Sequence, residues 1–169
     1  MGNGNWKGSG KAKFIFPENE PVGLIIREFS APRALVWEAM TKREYIPRWW
    51  GPYRYETIVK EMDCRPGGKW RFVNRAPDGS SPEFEFFGEY REVKPQVLVV
   101  QTFAFGDFPP SLETMVLHDL GKRTRMEVIA RYDSLESVKA MVASGMESGA
   151  QETYDRLDTV VQDLASQKG

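Results

Sequence analysis

A single apolar stripe organises the end of the chain. Between Ser134 and Ala165 the apolar or small residues fall at Val138, Val142, Met146, Gly149, Thr153, Leu157, Val160 and Leu164. Steps of three and four set them along one side of a helix. The opposite side carries Glu152, Asp155, Arg156, Asp158 and Asp163 and reads as a solvated face, with Glu152 and Arg156 spaced to pair across one turn. Ser134 reads as the N-cap and Gly145 as a kink or interruption. The half from Met146 to Leu164 is then roughly 28 Å long at about 1.5 Å per residue, enough to cross a whole sheet. Gly145 and Gly149 narrow the stripe in its middle. Glycine costs helix stability relative to alanine, so the pair either permits close helix-to-sheet packing or leaves room for a ligand.

A helix with one buried face needs a partner layer, and the preceding residues supply one. Val22–Phe29 reads as a first strand centred on Ile25 and Ile26. Ser30-Ala31-Pro32 then starts a helix, since Pro is favoured at its first position, with Val36, Ala39 and Met40 on its buried side. A second short helix, about Lys42–Arg48, ends at Trp49-Trp50-Gly51-Pro52. Two adjacent tryptophans cannot both point inward from one turn, so one is core and the other lines a cavity or its mouth.

From Tyr53 the period changes to two. Strands are expected at Tyr53–Asp63, Lys69–Asn74, Glu83–Val93, Val97–Phe105, Ser111–Leu120 and Arg123–Tyr132. Pro66 and Gly67 stand where a type II turn wants them, and Pro77-Asp78-Gly79, Lys94-Pro95-Gln96 and Leu120-Gly121-Lys122 punctuate the rest. In the last strand Met126, Val128 and Ala130 alternate with Arg125, Glu127 and Arg131. One face is buried and the other wet, as in an antiparallel sheet covered on one side. The expectation is an α+β domain: a curved antiparallel sheet of about seven strands wrapped around a long C-terminal helix, with two short helices after the first strand.

That domain spans 22–165, between a tail at 166–169 and a flexible arm at 1–21 rich in Gly, Asn and Lys. The 23 basic and 24 acidic residues nearly cancel, which removes the electrostatic case for nucleic acid or an anionic membrane surface. One cysteine excludes an internal disulfide framework and fits a reducing compartment. The N-terminus lacks the apolar core of a secretory signal, and no apolar run approaches spanning length. A cytoplasmic protein without membrane insertion is expected.

Residues that carry chemistry are few. His118 is the sole histidine, and a lone histidine cannot build a metal site. Cys64 lies between Asp63, which opposes a thiolate, and Arg65, which favours one. Glu83, Glu85 and Glu89 share an outward strand face with Arg91 and form no buried acid pair. No catalytic constellation, metal set or cofactor motif emerges. What stands out is soft and flat apolar surface: Trp50, Trp70, Phe72, Phe86, Tyr90, Phe103, Met115, Met126 and Met146, with Gly149, are the candidate lining of a pocket between sheet and helix.

Several segments carry a family likeness. They are Ile25-Ile26-Arg27-Glu28-Phe29-Ser30-Ala31-Pro32 with Val36-Trp37-Glu38-Ala39, then Trp49-Trp50-Gly51-Pro52, then Asp63-Cys64-Arg65-Pro66-Gly67-Gly68. Further on come Gly88-Glu89-Tyr90-Arg91-Glu92-Val93, Gly121-Lys122-Arg123-Thr124-Arg125-Met126, and Gly145-Met146 with Gly149 and Asp155-Arg156-Leu157. Together the chain resembles the homologues of the activator of heat-shock protein 90 ATPase, within the START-related SRPBCC superfamily. The resemblance implies a helix-grip fold and a ligand-binding domain. Its leading expectation is a non-catalytic binder of a small hydrophobic or amphipathic molecule such as a lipid. Its alternatives are a stress-response module with a chaperone or other protein partner, and a cyclase- or hydrolase-like enzyme.

Overall fold

Alternation in the last strand sets the inner face of the whole sheet. Met126, Val128 and Ala130 are buried while Arg131 is exposed, as period two requires. A computed structural model describes residues 11–168. Its strands are β1 (Lys13–Ile15), β2 (Val22–Phe29), β3 (Glu56–Met62), β4 (Lys69–Arg75), β5 (Phe84–Lys94), β6 (Leu98–Phe105), β7 (Phe108–Asp119) and β8 (Thr124–Arg131). They form one antiparallel sheet in the order β1-β2-β8-β7-β6-β5-β4-β3. The helices are α1 (Arg33–Thr41), α2 (Ile46–Trp49), α3 (Leu135–Ala143) and α4 (Met146–Lys168). This is the helix-grip arrangement, an α+β fold with a long C-terminal helix held by a curved sheet.

Four details differ from the expectation. Lys13–Ile15 pairs with Leu24–Ile26 as an edge strand, so that part of the expected arm belongs to the sheet, which has eight strands. Residues 1–10 of the arm lie outside the described residues. The second short helix is a 3-10 turn at Arg43–Tyr45 running into α2, because Pro47 is tolerated only in the first turn of a new helix. At the chain's end α4 continues to Lys168, so the expected tail from 166 is helical.

The fourth concerns the polar side of α4. Asp155 and Asp158 reach the sheet at Arg27, and Asp158 also accepts from the Ser30 backbone N–H at 2.8 Å. Arg156 donates to the carbonyl of Gly51 at 2.7 Å and of Arg48 at 3.3 Å, which satisfies carbonyls left free at the end of α2. The face is therefore a second docking surface and not simply a solvated one.

Helix breaks follow local chemistry. The Ser134 hydroxyl accepts from the Ser137 N–H at 3.1 Å and caps α3. Gly145, at φ +86°, ends α3, because only glycine enters that left-handed region without a steric cost. Beyond it α4 lays Leu157, Val160, Val161 and Leu164 into a core shared with Phe29, Val36, Ile46 and Met126. Upstream of Tyr154 the helix borders a cavity instead, with Met146, Gly149 and Thr153 on its wall.

Candidate functional site: a notched aromatic cavity

Where α4 leaves the sheet, a cavity of about 710 Å³ opens between them. Its wall is aromatic. Trp50 packs edge-on against Phe72 at 5.2 Å and Phe86 at 4.8 Å between ring centroids, while Phe86 stacks on Phe105 at 4.7 Å. Trp70 and Phe103 lie 5.8 Å apart and continue the surface. Period two on β4, β5 and β6 sends these rings to the concave face, and their pairing across the strands makes the wall continuous.

Both tryptophans of the pair border the cavity, Trp49 the more buried of the two. Trp49 is buried and donates its indole N–H to the Ala39 carbonyl at 2.9 Å. Trp50 is half-buried against the rings, and its backbone carbonyl is held by the Thr57 hydroxyl. The Trp70 indole nitrogen stands over Gly88, its cross-strand partner on β5, in the space a side chain there would take. A methyl group at Gly88 would fall 2.7 Å from the indole nitrogen and 1.9 Å from the Thr102 carbonyl oxygen.

Of the sequence-derived lining residues, all but one border this cavity: Trp50, Trp70, Phe72, Phe86, Tyr90, Phe103, Met115, Met146 and Gly149. Met126 does not. It opposes Arg27 and Leu117 deep under α4 and is fully enclosed in the core. Its inward face was readable from alternation, but its distance along β8 from the glycine notch was not. Gly149 stands at the mouth, where an added methyl would meet only Pro52, at 3.6 Å.

The cavity also has a polar strip. Tyr90 on β5, Gln101 on β6, Glu113 on β7, Ala130 on β8 and Gly23 on β2 form one register row across the concave face. Gln101 Nε2 donates to Glu113 Oε1 at 3.1 Å. Glu113 borders the cavity and is otherwise enclosed by protein, and burial pushes its carboxyl up to about 7 against the opposing pull of the Gln101 hydrogen bond. Burial and the nearby Glu113 charge together push Tyr132 up to about 12 and hold Tyr154 on α4 protonated. Burial likewise raises the Cys64 thiol, opposed by the adjoining Tyr90 hydroxyl. Cys64 borders the cavity, and its burial disfavours a thiolate.

Glu113 was missed in the sequence although a signal existed. Met115 reads as inward, and a residue two positions earlier on the same strand shares its face. His118 goes the other way, lying half-exposed on the outer face with Nε2 3.4 Å from Glu127 Oε2. Arg71 is outside too, ion-paired with Glu85 and lying over the Phe87 ring. Among the described residues no three His, Cys, Asp or Glu side chains gather as metal ligands, and no helix is long and apolar enough to cross a membrane.

Comparison with known proteins places this geometry in context. The family described as Activator of Hsp90 ATPase homolog 1-like protein matches residues 30–162. No curated protein matches the chain. Among solved structures, a protein from Arthrobacter aurescens is 23% identical with a TM-score of 0.82, covering 89% of this chain and 91% of its own. A protein from Rhodobacter sphaeroides is 20% identical with a TM-score of 0.83, covering 90% and 99%. One from Mycobacterium smegmatis is 21% identical with a TM-score of 0.79, covering 88% and 94%. At these identities the likeness is one of fold.

Proposed function

The chain belongs to the Activator of Hsp90 ATPase homolog 1-like family, and from that premise we propose that it binds a small hydrophobic or amphipathic molecule in the cavity under α4, without chemical turnover. One observation carries the reading: an aromatic-walled space of about 710 Å³ lies between sheet and helix, beside a core in which Phe29, Val36, Met126, Leu157 and Val161 are fully buried. Interiors normally pack to crystal-like density, and a space of this size falls in the range of small-molecule sites. Of the polar groups a catalytic reading would use, His118 and Arg71 lie on the outer face.

The test is to fill the mouth. Gly149→Leu improves helix propensity and meets only Pro52 at first contact, so the fold should hold. Binding of Nile red, a neutral apolar dye, should then fall at least roughly tenfold while the thermal midpoint stays level or rises. Unchanged dye binding together with a large loss of stability would make this region packing and not a site.

A further inference from the structure

We propose that the molecule held in this cavity is a lipophilic amine, seated with its ammonium on Glu113 and its apolar body against the aromatic wall. The proposal rests on the reading of the cavity as a ligand site and assigns the chemistry of the occupant.

Glu113 has few partners. Its Oε1 takes one hydrogen bond, from the neutral Gln101 amide at 3.1 Å. The groups that face it are Tyr90 and Gln101 along the register row, Tyr132 beyond β8, and Tyr154 from α4. None of these is a cation. The buried cation of the same concave face, Arg27, lies further along β2 and is already held by Asp155 at 2.7 Å. Arg54 lines the cavity but stacks on Tyr55, 4.8 Å from that ring. Glu113 is therefore a half-buried carboxyl bordering an aromatic-walled space, with no cation facing it among the described residues, and its raised titration range records the cost. A buried acid of that kind is most strongly relieved by a ligand that brings a positive charge.

The remaining lining fits the same guest. Glu152 adds a second acid at the cavity, so its charged lining residues are two acids and one arginine. Phe103 stands diagonal to Glu113 across the β6–β7 pair, with Trp70 and Phe86 each 5.8 Å beyond it. Ring faces attract a cation and accept an apolar body equally well. An anionic guest such as a fatty acid would meet Glu113 as a like charge and would have to force it neutral.

Calorimetric titration of naphthylethylamine, naphthylethanol and naphthylacetate at about pH 8 tests this, since an alkyl ammonium stays charged to about pH 10. The three share a body and differ at the head. The wild-type protein should bind the amine roughly tenfold or more tighter than the alcohol, with the acetate weakest. Glu113→Gln keeps the shape and the Gln101 contact and should erase the preference for the amine while retaining the alcohol. Thermal melts of the variant check that it is folded, and the ranking of the three on the wild type stands without it. An amine no tighter than the alcohol, or a preference that survives in Glu113→Gln, overturns the assignment and leaves the cavity a neutral apolar site. Failure of all three to bind the wild type overturns the ligand reading along with it.

Discussion

Arg27 on β2 and Asp155 on α4 meet at 2.7 Å, Nη1 to Oδ1, with the arginine 2% exposed and the aspartate 40%. The asymmetry decides what each substitution does. Arg27→Met leaves Asp155 able to return to water and replaces a buried charge by apolar volume, so it should cost only about 1 kcal/mol. Asp155→Ala strands a buried guanidinium with Asp158 at 3.9 Å as its remaining acid, and should cost about 3 kcal/mol. Urea melts that rank the two the other way would show that the ion pair is not what docks this end of α4.

Leu157 is fully enclosed where α4 rejoins the sheet, whereas Val142 on α3 is 37% exposed although both lie on the same sequence stripe. Leu157→Ala should destabilise by about 2–5 kcal/mol. Val142→Ala should stay within about 0.5 kcal/mol. Equal losses in denaturant titrations would mean that α3 packs as tightly as α4.

Glu113 should make stability fall as pH rises. Its carboxyl titrates near 4.5 when unperturbed and is pushed up to about 7 in the fold by burial. Between those values the unfolded chain gives up the proton and the folded chain keeps it, so ionisation favours unfolding, and above the folded value the penalty is complete. Linkage makes that penalty about 3 kcal/mol. Glu113→Gln should therefore match the wild type near about pH 4 and exceed it at about pH 8 by up to that amount. A stability difference that is constant with pH in urea titrations would contradict this.

Two glycines should fail for different reasons. Gly67 sits at φ +85° in the turn closed by the Gly68 N–H on the Arg65 carbonyl at 2.8 Å, with open space around an added methyl. Gly67→Ala should cost about 1 kcal/mol of backbone strain. At Gly88 the added methyl collides with the Thr102 carbonyl and with Trp70, so Gly88→Ala should cost about 3 kcal/mol or more. Gly88→Ala should also weaken Nile red binding, because Trp70 has to lift from the sheet. Dye affinity unchanged in a destabilised Gly88→Ala would separate Trp70 from the site.

Local chemistry alone carried much of the architecture. Period two from Tyr53 onward, Pro and Gly at the turns, and a step of three and four after Ser134 are enough to assign strands, inner faces and the final helix. They also show the stripe narrowing at Gly145 and Gly149, since this depends only on how side chains leave one turn of backbone. Lys13–Ile15 escaped this reading because three residues are too few to show a period, and pairing with β2 is what makes them a strand.

The tertiary structure decided which inward residues face a partner and which face empty space. Alternation places Ile25 and Arg27 on one face, and Glu113 and Met115 on another stretch of the same face, without distinguishing their fates. Arg27 becomes a docking point because Asp155, 128 residues away, arrives over it. Glu113 meets Tyr154 from the same helix, and no cation among the described residues faces it. A chain's periodicity fixes the direction of a side chain, but the cost of burying a charge depends on what the opposing layer supplies, and that is known only once sheet and helix have met.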